Sequence, residues 1–113
     1  MTSPDPRPGD IWLAYLSFSD LPEVGKVRPV VVVEADGGRL VAVAAKVTSK
    51  GSPSPGAVVV PVAGWEERGL RKPSYIRLDQ RFEVPYRDLL RGAPIGRLDD
   101  RQFEEVSSAV REL

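Results

Sequence analysis

Eleven prolines and ten glycines punctuate this 113-residue chain, and they constrain its fold more than any other feature. The segments between them are short and rich in Val, Ile, Leu, Tyr and Trp. Short β-prone segments at regular spacing point to an all-β sandwich or barrel. Gly9-Asp10 opens the first segment, Ile11 to Phe18, which is apolar on both faces and reads as a central strand. Residues 19–26 read as a loop. Val30 to Val33 is a β-branched run and a buried strand. Asp36-Gly37-Gly38 marks a tight hairpin turn into a third strand, Leu40 to Val47. Lys50 to Gly56 is a Pro/Gly loop, and Ala57 to Val62 a fourth strand. Residues 64–69 fit a single helical turn. Ser74 to Leu78 reads as a fifth strand and Phe82 to Tyr86 as a sixth, with Pro85 placing the sixth toward an edge.

One helix is expected, at the C-terminus. Asp99 is its N-cap, with Gln102 three positions on as the reciprocal partner of a capping box. Leu98 and Phe103 are placed for a hydrophobic staple. Phe103, Val106, Ala109, Val110 and Leu113 recur at spacings of three and four, so one face is apolar and packs on the sheet.

The length fits one domain, read as residues 9–113 behind a flexible Pro-rich tail, residues 1–8. There is no Cys and no His, which excludes disulfides, thiol nucleophiles, thiolate metal sites and the commonest general base at neutral pH. No apolar run approaches the 18 or so residues that a membrane span needs, and the N-terminus lacks the apolar core of a signal peptide, so a cytoplasmic location is expected. The 16 basic and 16 acidic residues cancel, which argues against binding nucleic acid by whole-surface attraction. The cancellation is not local. Residues 66–97 hold eight Lys+Arg against five Asp+Glu, whereas residues 98–113 hold two Arg against five acids.

Three short motifs carry chemistry. In Lys26-Val27-Arg28-Pro29, Pro29 keeps Arg28 extended at a strand mouth, where its guanidinium could fork a phosphate or pair with a carboxylate. In Val47-Thr48-Ser49-Lys50-Gly51, two hydroxyls and an ammonium at a strand end could bind phosphate oxygens or form an ordinary Ser/Thr turn. In Ser74-Tyr75-Ile76-Arg77-Leu78-Asp79-Gln80, strand alternation puts Tyr75, Arg77 and Asp79 on one face, with Ile76 and Leu78 in the core. Arg77 and Asp79 could be a surface ion pair. They could also work together, the carboxylate taking a proton from a ribose 2′-hydroxyl and the guanidinium holding phosphorane oxygens. Trp12, Trp65 and Tyr75 could line a peptide groove, although core or rim packing accounts for both tryptophans.

The order of these motifs resembles the MazF/PemK family of toxins: Gly9-Asp10-Ile11-Trp12, Phe18-Ser19-Asp20, Lys26-Val27-Arg28-Pro29, Val47-Thr48-Ser49, Ser74 to Gln80, then one C-terminal helix. The resemblance runs from about residue 9 to the end and is nearest the PemK/Kid branch. It implies a mainly β fold, a small SH3-like β-barrel with a C-terminal helix. It implies a homodimeric toxin that cuts single-stranded RNA, often mRNA, without metal or cofactor, leaving 2′,3′-cyclic phosphate and 5′-hydroxyl ends. It also implies a cognate antitoxin with a partly disordered acidic segment. Carried over by motif, Arg28, Thr48, Arg77 and Asp79 are the catalytic candidates, with Asp79 as general base. Arg77 matches the family's acid, yet a guanidinium donates its proton poorly and is better suited to holding charge. Lys26, Ser49, Lys50, Ser74, Tyr75 and Gln80 are the expected RNA contacts. The alternative is a non-catalytic toxin of the same fold that binds DNA gyrase or another protein.

Overall fold

The computed structural model describes residues 5–18, 21–49 and 58–112. Six strands form one curled antiparallel sheet: β1 (Asp10–Phe18), β2 (Leu21–Asp36), β3 (Val41–Thr48), β4 (Val59–Pro61), β5 (Tyr75–Pro85) and β6 (Gly96–Arg97), in the order β4-β5-β3-β2-β1-β6. One helix, α1 (Asp100–Arg111), follows β6. The mainly β fold with a single C-terminal helix is therefore as expected. Among the described residues, no helix is long and apolar enough to cross a membrane.

Both faces of the sheet are buried near its centre. On one face Ile11, Val31, Ala45, Val47, Ile76 and Leu78 join a core that α1 covers through Phe103, Val106, Ala109 and Val110. On the other, Trp12, Ala14, Val30, Val32, Ala42, Ala44, Val84 and Leu89 form a second core. This is why β1 is apolar on both sides. Trp12 is buried in the second core and Trp65 packs on the first, so both tryptophans are packing residues.

The strand boundaries differ from expectation along β2 and β5. The segment read as a loop belongs largely to β2, pairing Leu16 with Lys26, Ser17 with Gly25 and Phe18 with Leu21. Pro22, which cannot donate to a ladder, falls among residues 22–24, which have no partner in that register among the described residues. Gly25 lets the strand continue because the Tyr15 ring lies where a side chain at 25 would stand. The two strands expected over 74–86 are one, β5, carrying three extra residues against β3: Arg77 faces Lys46, while Arg81 faces Ala45. The irregularity turns the strand over, so Ile76 and Leu78 enter the first core while Phe82 packs on the second and Val84 lies within it. Among the described residues β4 pairs only with Tyr75 to Arg77, so there the later half of β5, with Pro85, is paired on the β3 side alone.

The helix start also departs from the capping-box reading. The Asp99 carboxylate accepts from the Gln102 amide at 2.7 Å, as a cap should. The Gln102 side chain does not return to Asp99. Buried, it donates to the Pro61 carbonyl at 2.7 Å and accepts from the Ala63 amide at 2.9 Å. It thus satisfies the backbone at the end of β4 and fastens α1 to the sheet edge. At the opposite end, Asp10 is buried and accepts from Arg97 Nη1 at 2.7 Å, the Arg7 amide at 2.9 Å and Trp12 Nε1 at 3.2 Å. The Gly9-Asp10-Ile11-Trp12 motif is therefore a structural clamp that includes Arg7, within the stretch read as a tail; residues 1–4 lie outside the described residues.

Candidate active site

Residues directly opposite one another in a sheet share a face. Lys46 faces Arg77 and Thr48 faces Tyr75 across β3 and β5. Lys26 and Arg28 stand on β2 in the same alternation as Val30, which faces Lys46. The sheet thus brings Lys26, Arg28, Lys46, Thr48, Tyr75 and Arg77 to one face, beyond the rim of the second core. Lys46 is the residue that sequence reasoning missed. Its signal was its two-residue spacing from Thr48 within one strand.

Arg77 and Asp79 are joined by a two-point ion pair. Arg77 Nε donates to Asp79 Oδ1 at 3.0 Å and Nη2 to Oδ2 at 2.7 Å. The Val58 amide adds a third bond to Oδ1 at 3.2 Å. Their side chains are 17% and 25% exposed, so the pair is partly sheltered from water. The Arg77 hydrogen bonds hold the Asp79 carboxyl down at about 2, and the carboxylate in turn raises Arg77. Asp79 is therefore ionised throughout the neutral range, and the same hydrogen bonds lower its basicity. In the unliganded chain it orients Arg77 and is a weak proton acceptor.

Two cavities flank this face. The first, of about 620 Å³, is lined by Tyr15, Leu16, Phe82, Val84, Lys26 and Arg28, among others. The second, of about 660 Å³, is lined by Thr48, Ser49, Arg71, Lys72 and Arg91, among others. Arg28 and Lys46 line both and form the divide between them. Tyr75, Arg77 and Asp79 line neither; they stand on β5 beside Lys46 and Thr48. Ser74 is buried, and its hydroxyl donates to the Lys72 carbonyl at 2.8 Å, so that donor is spent within the chain. Gln80 is exposed in the irregular stretch of β5 and lines neither cavity. Lys50 lies outside the described residues.

Such a face suits a phosphodiester. Arg77 presents a fork held in place by a carboxylate, and Arg28 and Lys46 supply further positive charge. The family model described as "PemK-like, MazF-like toxin of type II toxin-antitoxin system" matches residues 7–113. No curated protein matches the chain by sequence. The fold is similar to that of the Mycobacterium tuberculosis toxin MazF-mt6, at 25% identity and a TM-score of 0.63 over 89% of this chain and 90% of that one. It is also similar to MazE-MazF (Form-II) from Deinococcus radiodurans, at 19% identity and a TM-score of 0.71 over 96% and 95% of the two chains. A third similar structure is an endoribonuclease in complex with its cognate antitoxin from Mycobacterial species, at 16% identity and a TM-score of 0.65 over 96% of each chain.

Proposed function

The chain belongs to the PemK/MazF family of type II toxin-antitoxin toxins, and from that premise we propose that it is a metal-independent, sequence-specific endoribonuclease acting on single-stranded RNA in the cytoplasm. The observation that carries this reading is the shared face of Arg28, Lys46, Thr48 and Arg77, with Asp79 clamped to Arg77. The endoribonuclease named among the similar structures supports it.

In the proposed reaction the 2′-hydroxyl attacks the adjacent phosphorus and the 5′-oxygen leaves, giving a 2′,3′-cyclic phosphate and a 5′-hydroxyl. Arg77 and Arg28 hold the non-bridging oxygens as charge builds on the phosphorane. Thr48 borders the scissile phosphate. The scissile phosphate also competes with Asp79 for the Arg77 fork. As the guanidinium turns to the phosphate, Asp79 loses its strongest donors and its basicity rises. It then takes the 2′-hydroxyl proton, and water supplies the proton to the 5′-oxygen. A homodimer and inhibition by a cognate antitoxin with an acidic segment complete the reading.

Expression of the chain without antitoxin tests this. Growth arrest with fragmented mRNA is expected, and Arg77→Ala should relieve both. Arrest with RNA intact, supercoiling blocked and gyrase captured would replace this reading with the non-catalytic one.

A further inference from the structure

The second cavity holds charge that the reaction at Arg77 does not use. Its wall carries Arg71 and Lys72, just ahead of β5, and Arg91, in the turn before β6, beside the shared Arg28 and Lys46. No carboxylate among the described residues lines it. Among the described residues none of these five cations is ion-paired, whereas Arg39, Arg68, Arg77, Arg97 and Arg111 each have an acidic partner. Like charges gathered in a concavity over an apolar floor, here Leu13, Leu70 and Ile95, repel one another and focus a positive field into it. Arg91 is held there at a φ of 67°, a conformation that a side-chain-bearing residue seldom adopts.

We propose that Arg71, Lys72 and Arg91 form a phosphate-binding subsite that takes the RNA backbone beyond the scissile phosphate. The proposal rests on the endoribonuclease reading above. A strand whose scissile phosphate meets Arg77 and Arg28 passes over the Arg28–Lys46 divide, and its following phosphates enter the groove. RNA fits better than an acidic peptide because it carries a charge at every residue. Ser49 adds a hydroxyl donor for phosphate or sugar oxygens, and the groove is continuous with the reacting face.

The test uses the full chain and a fluorescent single-stranded 12-nucleotide 2′-O-methyl RNA of mixed sequence, which has no hydroxyl to attack. Anisotropy titrations from 50 to 300 mM KCl give the salt dependence of binding. Each phosphate contact on a single strand contributes about 0.7 to the slope of log K against log salt. The R71Q/K72Q/R91N variant should bind more weakly with a slope shallower by about 2, and K72Q alone by about 0.7. Asn replaces Arg91 because it tolerates the left-handed backbone. A wild-type chain that binds this RNA and cuts its 2′-hydroxyl counterpart, with variants of unchanged slope, overturns the subsite and leaves the nuclease reading standing. Variants that lose affinity for poly-L-glutamate but keep it for RNA reassign the groove to an acidic peptide and overturn the subsite as well. A wild-type chain that neither binds nor cuts overturns both readings.

Discussion

Three hydrogen bonds converge on the two oxygens of Asp79, and each favours the ionised carboxylate over the protonated one. This sets the expected pH behaviour. In the free chain Asp79 titrates at about 2, so kcat/KM, which reports the free enzyme, should show no acid limb from Asp79 above about pH 3. The limb of kcat, which reports the bound state, should lie higher, toward ordinary carboxylate values. Profiles of both constants on one RNA oligonucleotide check this; coincident limbs contradict the hand-over of Arg77. Linkage gives the stability counterpart. A depressed folded pKa contributes stability that is present above the unfolded value near 3.9 and is lost as pH falls toward about 2. Asp79→Asn should therefore flatten that part of the acid unfolding curve in urea titrations. Arg77→Ala should cut the single-turnover rate by roughly 100- to 1,000-fold, the usual effect of removing a donor to developing charge. Arg77 and Asp79 were legible as same-face neighbours from alternation alone. Lys46 was not linked to Arg77, because that juxtaposition needs the β3–β5 register, and the register depends on three extra residues that no local pattern announces.

Elements are joined here by two buried polar side chains, Gln102 and Asp10. Sequence rules assign Gln102 to its own helix cap, yet its amide serves the Pro61 carbonyl and the Ala63 amide instead. Those backbone groups would otherwise be left unpaired, which costs more than an unmade capping bond. Gln102→Leu should destabilise the fold by about 2 kcal/mol, read from the urea midpoint, and loosen α1 before the sheet. Asp10→Ala removes the acceptor for Arg97, Trp12 and the Arg7 amide and should cost about 3 kcal/mol by the same measurement. Strand existence was legible from the Pro and Gly punctuation and the Val runs. The extent of β2 was not, because Pro22 and Gly25 signal a loop unless one knows that the register shifts between Ser17 and Phe18 and that Tyr15 covers Gly25.

At the scale of the whole molecule, zero net charge conceals a division. Acidic residues concentrate toward the C-terminal helix, while Lys26, Arg71, Lys72 and Arg91 line the cavities on either side of the Arg28–Lys46 divide. The missing His and Cys restrict the chemistry to carboxylate, guanidinium, ammonium and hydroxyl groups. The sheet places one such set on a single face, between two cavities. The central claim is that this face cuts RNA by 2′-hydroxyl attack without metal. The most direct measurement incubates the purified chain with a defined single-stranded RNA in excess chelator and maps the new ends. The account predicts cuts at a recurring short sequence with 5′-hydroxyl and 2′,3′-cyclic phosphate termini, abolished by Arg77→Ala. Cutting that requires added divalent metal, 5′-phosphate ends, or equal cutting by the Arg77→Ala variant would contradict it.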